Sequence, residues 1–152
     1  MQRDIYKQLL RWKNKKTRKP LILNGARQVG KTYILREFGE KEYQKVAFFS
    51  LDRNQKVREV FEKSGNTADI LMALSAISQV NITPGDTLLV LDEIQDCPKA
   101  LEALKFFCEE TPDIHIVVAG SLLGLSLHDG TSYPVGKVEE MRLYPMTFLE
   151  FL

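Results

Sequence analysis

Eight consecutive residues, Gly25-Ala26-Arg27-Gln28-Val29-Gly30-Lys31-Thr32, follow the pattern G-x-x-x-x-G-K-[ST]. Glycines let a backbone wrap closely round an anion with successive N–H groups pointing inward. A helix that starts at the end of such a loop adds the positive end of its dipole. Lys31 would bring a point charge to the β- and γ-phosphates of a nucleotide, and the Thr32 hydroxyl would ligate Mg2+. Tyr33, next along the chain, is grouped with the loop as a nucleotide contact. A second set is Leu88-Leu89-Val90-Leu91-Asp92-Glu93, an apolar run that ends in two carboxylates. Ionised carboxylates at the end of a buried strand need partners, and a cation supplies one. Asp92 is therefore the expected metal ligand together with Thr32, and Glu93 the group that polarises an attacking water. A third set is Gly120-Ser121, after another apolar run, where Ser121 is the candidate to orient that water or touch the γ-phosphate.

Each set has a plainer explanation on its own: a chance glycine loop, a helix-capping acid pair, a turn serine. Together they favour phosphate chemistry, because all three follow apolar runs, and ligands of open α/β sheets gather outside the carboxyl ends of the strands. Other chemistries find less support. Ser121 sits in A-G-S-L-L-G, not in the G-x-S-x-G of a nucleophile elbow. His128 and Asp129 are sequence neighbours, which does not make a base and its orienter. His115 alternates within a strand and reads as structural, and no zinc-ligand spacing occurs.

The elements that must carry these residues can be read from punctuation and period. Pro20 precedes the short apolar run LILN, and YILREFG after the loop reads as a helix closed by Gly39. KVAFFSL at 45–51 is a second strand, ending in Asp52. Two helices follow, one with Val57, Val60 and Phe61 on one side, the other with Ile70, Leu74 and Ile77 and a cap at Asn66 or Thr67. Thr83-Pro84-Gly85-Asp86 is a turn, TLLVL a strand buried on both faces, and Pro98 opens a helix striped by Leu101, Leu104 and Phe107. IHIVVA at 114–119 and KVEEMRL at 137–143 complete five strands. Strands alternating with helices predict an α/β sandwich about a parallel sheet.

The 152 residues, 44% of them hydrophobic, suffice for one globular domain and are too apolar for a disordered chain. No apolar run approaches the ~18 residues of a membrane span. The N-terminus is broken by charges throughout, unlike a secretory signal. Cys97 and Cys108 form neither a CxxC pair nor a disulfide framework, so a reducing cytoplasm is the default expectation. The net charge of +1 hides an asymmetry, with eight Lys/Arg against Asp4 alone in residues 1–20, and 13 basic against 19 acidic groups beyond them. Such an arm could meet nucleic acid such as DNA, acidic lipid or an acidic partner. Ile5, Leu9 and Trp12 recur at helical spacing, however, and favour a helix docked by one face across residues 1–19. At the other end Thr147 and Glu150 form a capping box with only Phe151 and Leu152 behind it. A helix cannot form from so few residues. The expected organisation is thus an N-terminal helix (1–19), a nucleotide-binding core (20–146) and the start of a truncated helix (147–152), in a fragment of a longer protein.

The motifs G-A-R-Q-V-G-K-T (25–32), L-D-E-I-Q (91–95), A-G-S-L-L-G (119–124) and the closing L-Y-P-x-[ST]-F-x-E-F-L (143–152) resemble those of the AAA+ superfamily of P-loop ATPases. The resemblance narrows to predicted bacterial and archaeal ATPases with this motif set, and it runs along essentially the whole chain. It implies a three-layer P-loop NTPase sandwich with a five-stranded parallel sheet of order 5-1-4-3-2. It also implies Walker A at Lys31 and Thr32, Walker B at Asp92 and Glu93, sensor 1 at Ser121, ATP and Mg2+ as cofactors, and a C-terminal effector domain of undefined character. Adenine contacts near Ile5 and Tyr6 follow only by analogy. The superfamily's arginine finger is missing from residues 121–137, and Lys137, which stands where many relatives have Arg, cannot make the same bidentate contact.

The expected activity is Mg2+-dependent ATP hydrolysis without a membrane partner, with a homo-oligomer and DNA as candidate partners. A nucleotide-dependent switch with little turnover is the alternative, favoured by the missing arginine finger. A small-molecule kinase lacks the Arg-rich lid it would need. No N-K-x-D-like guanine reader occurs, which favours ATP.

Overall fold

A computed structural model describes residues 2–25, 30–120 and 136–143, with the side chains of residues 2, 3 and 143 excepted. Ala26, Arg27, Gln28, Val29, Ser121, His128, Asp129 and the Thr147–Glu150 capping pair lie outside the described residues. Helices α1 (Gln2–Lys13) and α2 (Lys31–Glu42) flank β1 (Leu21–Gly25) in sequence, and β2 (Lys45–Ser50) follows. Next come α3 (Gln55–Lys63), α4 (Thr67–Ser78), β3 (Thr87–Asp92), a 3-10 turn over Ile94–Asp96 and α5 (Pro98–Glu110). The chain then forms β4 (His115–Gly120) and β5 (Glu139–Leu143).

All five strands pair in parallel, in the order β2-β3-β4-β1-β5. This is the predicted order, read from the opposite edge. Both central strands, β3 and β4, are buried along their whole length, as unbroken apolar runs require. Side chains alternate across the sheet. Leu21, Leu23, Leu88, Val90, Val117 and Ala119 face α1 and α2. Ile22, Leu89, Leu91, Ile116 and Val118 face α3, α4 and α5. Three layers result.

The N-terminal segment docks by its apolar stripe, with Ile5, Leu9 and Trp12 all buried. The helix itself is shorter than the predicted 1–19 and stops at Lys13. Arg18 folds back to donate from Nη1 to the Lys13 carbonyl at 3.0 Å, and the Trp12 indole N–H donates to the Lys19 carbonyl at 2.7 Å. A cationic side chain on the last carbonyls is a favourable helix end. The basic arm is therefore a short helix and a return turn, not one continuous rod.

Gly39 also departs from expectation. It does not close α2, which runs on to Glu42 and hands over to an extended Tyr43. A Cβ at position 39 would lie 2.6 Å from Val46 Cγ2 and 3.2 Å from Leu88 Cδ2, so glycine is there to let helix and sheet approach. We expect Gly39→Val to lower stability by about 1–3 kcal/mol through overpacking. Urea unfolding should show its midpoint falling, and Val46→Ala in the same chain should recover part of the loss.

Beneath α1 and α2, the Tyr43 hydroxyl meets His115 Nδ1 at 2.6 Å, and Trp12 packs edge-on against the same imidazole at 5.8 Å. His115 is thus structural, as its place in the strand suggested. Burial, aided by the nearby Arg18 and Lys13 charges, pushes its pKa down to about 4. Folding therefore favours the neutral ring. The stabilisation is complete above the unfolded pKa of 6.5 and is lost as pH falls towards about 4. That part of the pH dependence should disappear in His115→Gln, checked by denaturant titrations of both proteins between pH 7 and pH 4.

Candidate functional site

The carboxyl ends of β1, β3 and β4 lie side by side, because β4 pairs with both of its neighbours (Asn24↔Gly120; Leu91↔Val118). That topology alone brings Gly25, Asp92 and Gly120 to one rim. Gly30, the residue before α2, has φ +81°, in the left-handed region open to glycine. It caps the helix without a side-chain bond, so the first N–H groups of α2 keep their positive potential for an anion.

Lys31 opens α2, is only 6% exposed, and donates from Nζ to the Gly25 carbonyl at 2.7 Å. This contact ties the end of the loop to its start. One residue on, Thr32 Oγ1 donates to Asp92 Oδ2 at 2.8 Å. The other carboxylate oxygen of Asp92 accepts from the Glu93 backbone N–H at 2.9 Å, and the residue is 7% exposed. A hydroxyl and a carboxylate converging on one point are hard oxygen donors of the kind Mg2+ accepts. The donor set fits that ion.

Glu93 is half-buried and has φ +57°, ψ +50°. A left-handed, non-glycine residue costs roughly 1–2 kcal/mol, and such strain collects at functional sites. The side chain of Gln95 donates from Nε2 to Glu93 Oε2 at 2.8 Å. Carboxylate oxygens of Asp52, Glu93 and Asp96 lie within 4.8 Å of one another.

These groups border a cleft of about 570 Å³ lined by Gly30, Lys31, Thr32, Asp92 and Glu93 and, across from them, residues of the β2 end. The pattern reading missed the rest of the lining: Arg36 on α2, Phe48 and Ser50 on β2, and Asp52 and Arg53 just after it. The Arg36 guanidinium sits 4.0 Å from the centroid of the Phe48 ring, a cation–π contact. Arg36 follows Thr32 by one helical turn, so its shared face was available from spacing. The β2 residues required knowledge that β2 pairs with β3, where Ser50 stands opposite Asp92.

Other expected residues lie elsewhere. Tyr33 is 63% exposed, in a shallow surface depression with Arg36, Glu37, Glu40 and Lys41. Ile5 is buried, and Tyr6 stacks edge-on against Phe38 with its hydroxyl donating to Glu42 at 2.6 Å. Lys137, at the finger-like position, pairs with Glu109 at 3.3 Å. Asn66, not Thr67, caps α4, accepting from the Asp69 N–H at 2.8 Å, while Thr67 donates to Glu110. Cys97 is buried and Cys108 half-buried, both as free thiols. Among the described residues no helix is long and apolar enough to cross a membrane.

The sheet order is that of the P-loop fold of the AAA+ class. More specifically, the chain belongs to the AAA domain family whose profile matches residues 17–152. Solved structures share the fold. Drosophila ORC bound to DNA has a TM-score of 0.64 at 16% identity, covering 95% of this chain and 43% of that one. The Aeropyrum pernix ORC1 protein in complex with DNA has 0.61 at 16%, covering 96% and 44%. Drosophila ORC bound to AT-rich DNA and Cdc6 has 0.56 at 12%, covering 99% and 58%. The chain thus spans roughly half the length of these structures. No curated protein sequence matches it.

Relief of backbone strain gives a test of this site. Glu93→Gly should raise stability by up to about 1 kcal/mol, because glycine adopts the left-handed conformation freely. Thermal unfolding would show a higher Tm, and an unchanged or lower Tm would mean that the side-chain contacts of Glu93 outweigh the strain.

Proposed function

We propose that this domain binds ATP and hydrolyses it with Mg2+, coupling turnover to an effector domain elsewhere in a longer protein. The observation that carries the reading is the 2.8 Å contact between Thr32 and Asp92, with Lys31 beside it, at the rim of one cleft. The fold supplies that convergence, and the nucleotide supplies what fills it.

Under this reading the loop Gly25–Thr32, through Gly25, Ala26, Arg27, Gln28, Val29 and Gly30, presents its N–H groups to the phosphates. Lys31 offsets the charge that grows on the phosphoryl oxygens. Glu93 accepts hydrogen bonds from the attacking water and aligns it, and Ser121 orients it from the end of β4. Mg2+, held by Thr32 and Asp92, neutralises phosphate charge when bound. Membership in the AAA domain family supports nucleotide binding in general. The specific roles rest on position and chemistry.

DNA is the candidate macromolecular partner. The three similar solved structures include DNA by their descriptions, and Lys7, Arg11, Lys15 and Lys16 stand exposed on α1 and the turn after it. A phosphate-contacting surface of this kind loses affinity steeply with salt. A homo-oligomer is compatible with this reading. A switch with little turnover is the second reading, favoured by the absence of Arg from residues 121–137.

Two substitutions separate binding from turnover. Lys31→Ala should weaken ATP binding about 10- to 100-fold, the equivalent of one charge-assisted hydrogen bond. Glu93→Gln should leave ATP binding within a few-fold and lower phosphate release by at least about 100-fold. The measurements are a nucleotide titration and a steady-state phosphate-release assay, with and without DNA. Unaltered release by Glu93→Gln would remove Glu93 from the chemistry, and a wild-type protein that binds ATP without releasing phosphate would favour the switch.

A further inference from the structure

Gln95 lies two residues beyond Glu93, in the 3-10 turn Ile94–Asp96 that follows β3. Its amide spans two features of the rim. From Nε2 it donates to the Glu93 carboxylate at 2.8 Å. At its other end, Oε1 occupies the space beside Gly120, where a Cβ would lie 2.3 Å away. Gly120 is the last residue of β4 and is fully packed, with Ile94 Cγ2 and the Ile94 backbone nitrogen 3.0 and 3.1 Å from the same point. The lack of a side chain at Gly120 is therefore what makes room for the Gln95 amide. Glu93 meanwhile holds a left-handed backbone that its own sequence does not favour.

We infer that Gln95 is a positioning residue, which holds the Glu93 carboxylate in place from a seat against the end of β4 that only glycine at 120 leaves open. This rests on the reading of Glu93 as the water-aligning group. The physical reason is entropic and directional. A glutamate has three side-chain torsions, and an amide donor on one carboxylate oxygen restricts them. Because the amide leans on β4, any movement of that strand end transmits to the carboxylate. Gln95 does not touch the cleft in which the phosphates would sit, since that cleft is lined by Glu93 but not by Gln95. Its loss should therefore act on turnover and spare nucleotide affinity.

Three variants form the core of the test, with ATP as the probe, and Gln95→Glu and Glu93→Gln complete it. Gln95→Met keeps the length of the side chain and removes its donor. Gly120→Ala pushes the amide from its seat and leaves its chemistry intact. The third is the double variant. The expected result is a fall in kcat of about tenfold in each single variant, with KM for ATP and the ATP dissociation constant within twofold. The double variant should lose little more than Gln95→Met alone, since both changes break one contact. Gln95→Glu, which places two carboxylates together, should be worse than Gln95→Met. Tm values serve to show that each protein is folded, and if Gly120→Ala does not fold, the comparison of Gln95→Met with Gln95→Glu carries the test. Losses in the two single variants that multiply in the double, or a kcat in Gln95→Met within twofold of wild type, would overturn the inference. So would a rise in KM matching the fall in kcat. Glu93→Gln keeps the two levels apart. Turnover that survives it overturns the reading of Glu93 and the role of Gln95 with it. Turnover lost there but intact in Gln95→Met overturns the Gln95 inference alone.

Discussion

The hydrogen bond between Thr32 and Asp92 joins the start of α2 to the end of β3, two points 60 residues apart in the chain. Nearly every other feature of the site follows from keeping those two points together. The first turn of α2 must stand over the sheet, which requires the helix to pack closely along its length, and Gly39 makes that approach possible where it meets Val46 and Leu88. The central strands must deliver their last residues at the same height, which the parallel register of β3, β4 and β1 does. Asp92 can then be nearly buried while each of its oxygens accepts a hydrogen bond. A carboxylate so placed would be costly if it lacked those partners.

The two sides of the sheet serve different purposes. On one side α1 and α2 hold the apolar stripe of the N-terminal helix, and the Trp12–His115–Tyr43 cluster ties that helix to β4. On the other side α3, α4 and α5 close the larger part of the core. The candidate site occupies neither face. It lies along the rim, where backbone ends leave donors and acceptors that the core cannot satisfy, and where charge is tolerable because water reaches it. The cleft there brings cations (Lys31, Arg36, Arg53) and acids (Asp52, Asp92, Glu93) together. An anion together with a divalent cation would complement both sets of charge.

Much of this was legible from residue order. The G-x-x-x-x-G-K-[ST] motif is contiguous, so it is read from neighbouring residues alone. The apolar runs of β3 and β4 announce burial on both faces, and Asp92 and Glu93 announce themselves by ending one of them. Two local readings went astray for the same reason. Gly39 looked like a helix stop because glycine often is one, yet the space at that position is set by Val46 of β2 and Leu88 of β3. The basic arm looked like one helix because Ile5, Leu9 and Trp12 recur at helical spacing and no breaker precedes Pro20, yet the Arg18 and Lys19 contacts that turn it back depend on where the preceding helix has docked.

Sequence alone therefore determined the α/β class and the strand content, and it singled out Thr32 and Asp92 as separate motifs, since each of these is written in residues within a few positions of one another. Only the tertiary structure decided which residues oppose them. The part of the cleft made by Phe48 and Ser50 of β2 with Asp52 and Arg53 after it, and the seat of Gln95 against Gly120, arise from strands and turns that meet through sheet order. Contacts between segments far apart in the chain depend on register and on the volume left by neighbouring side chains, and neither quantity has a local signature.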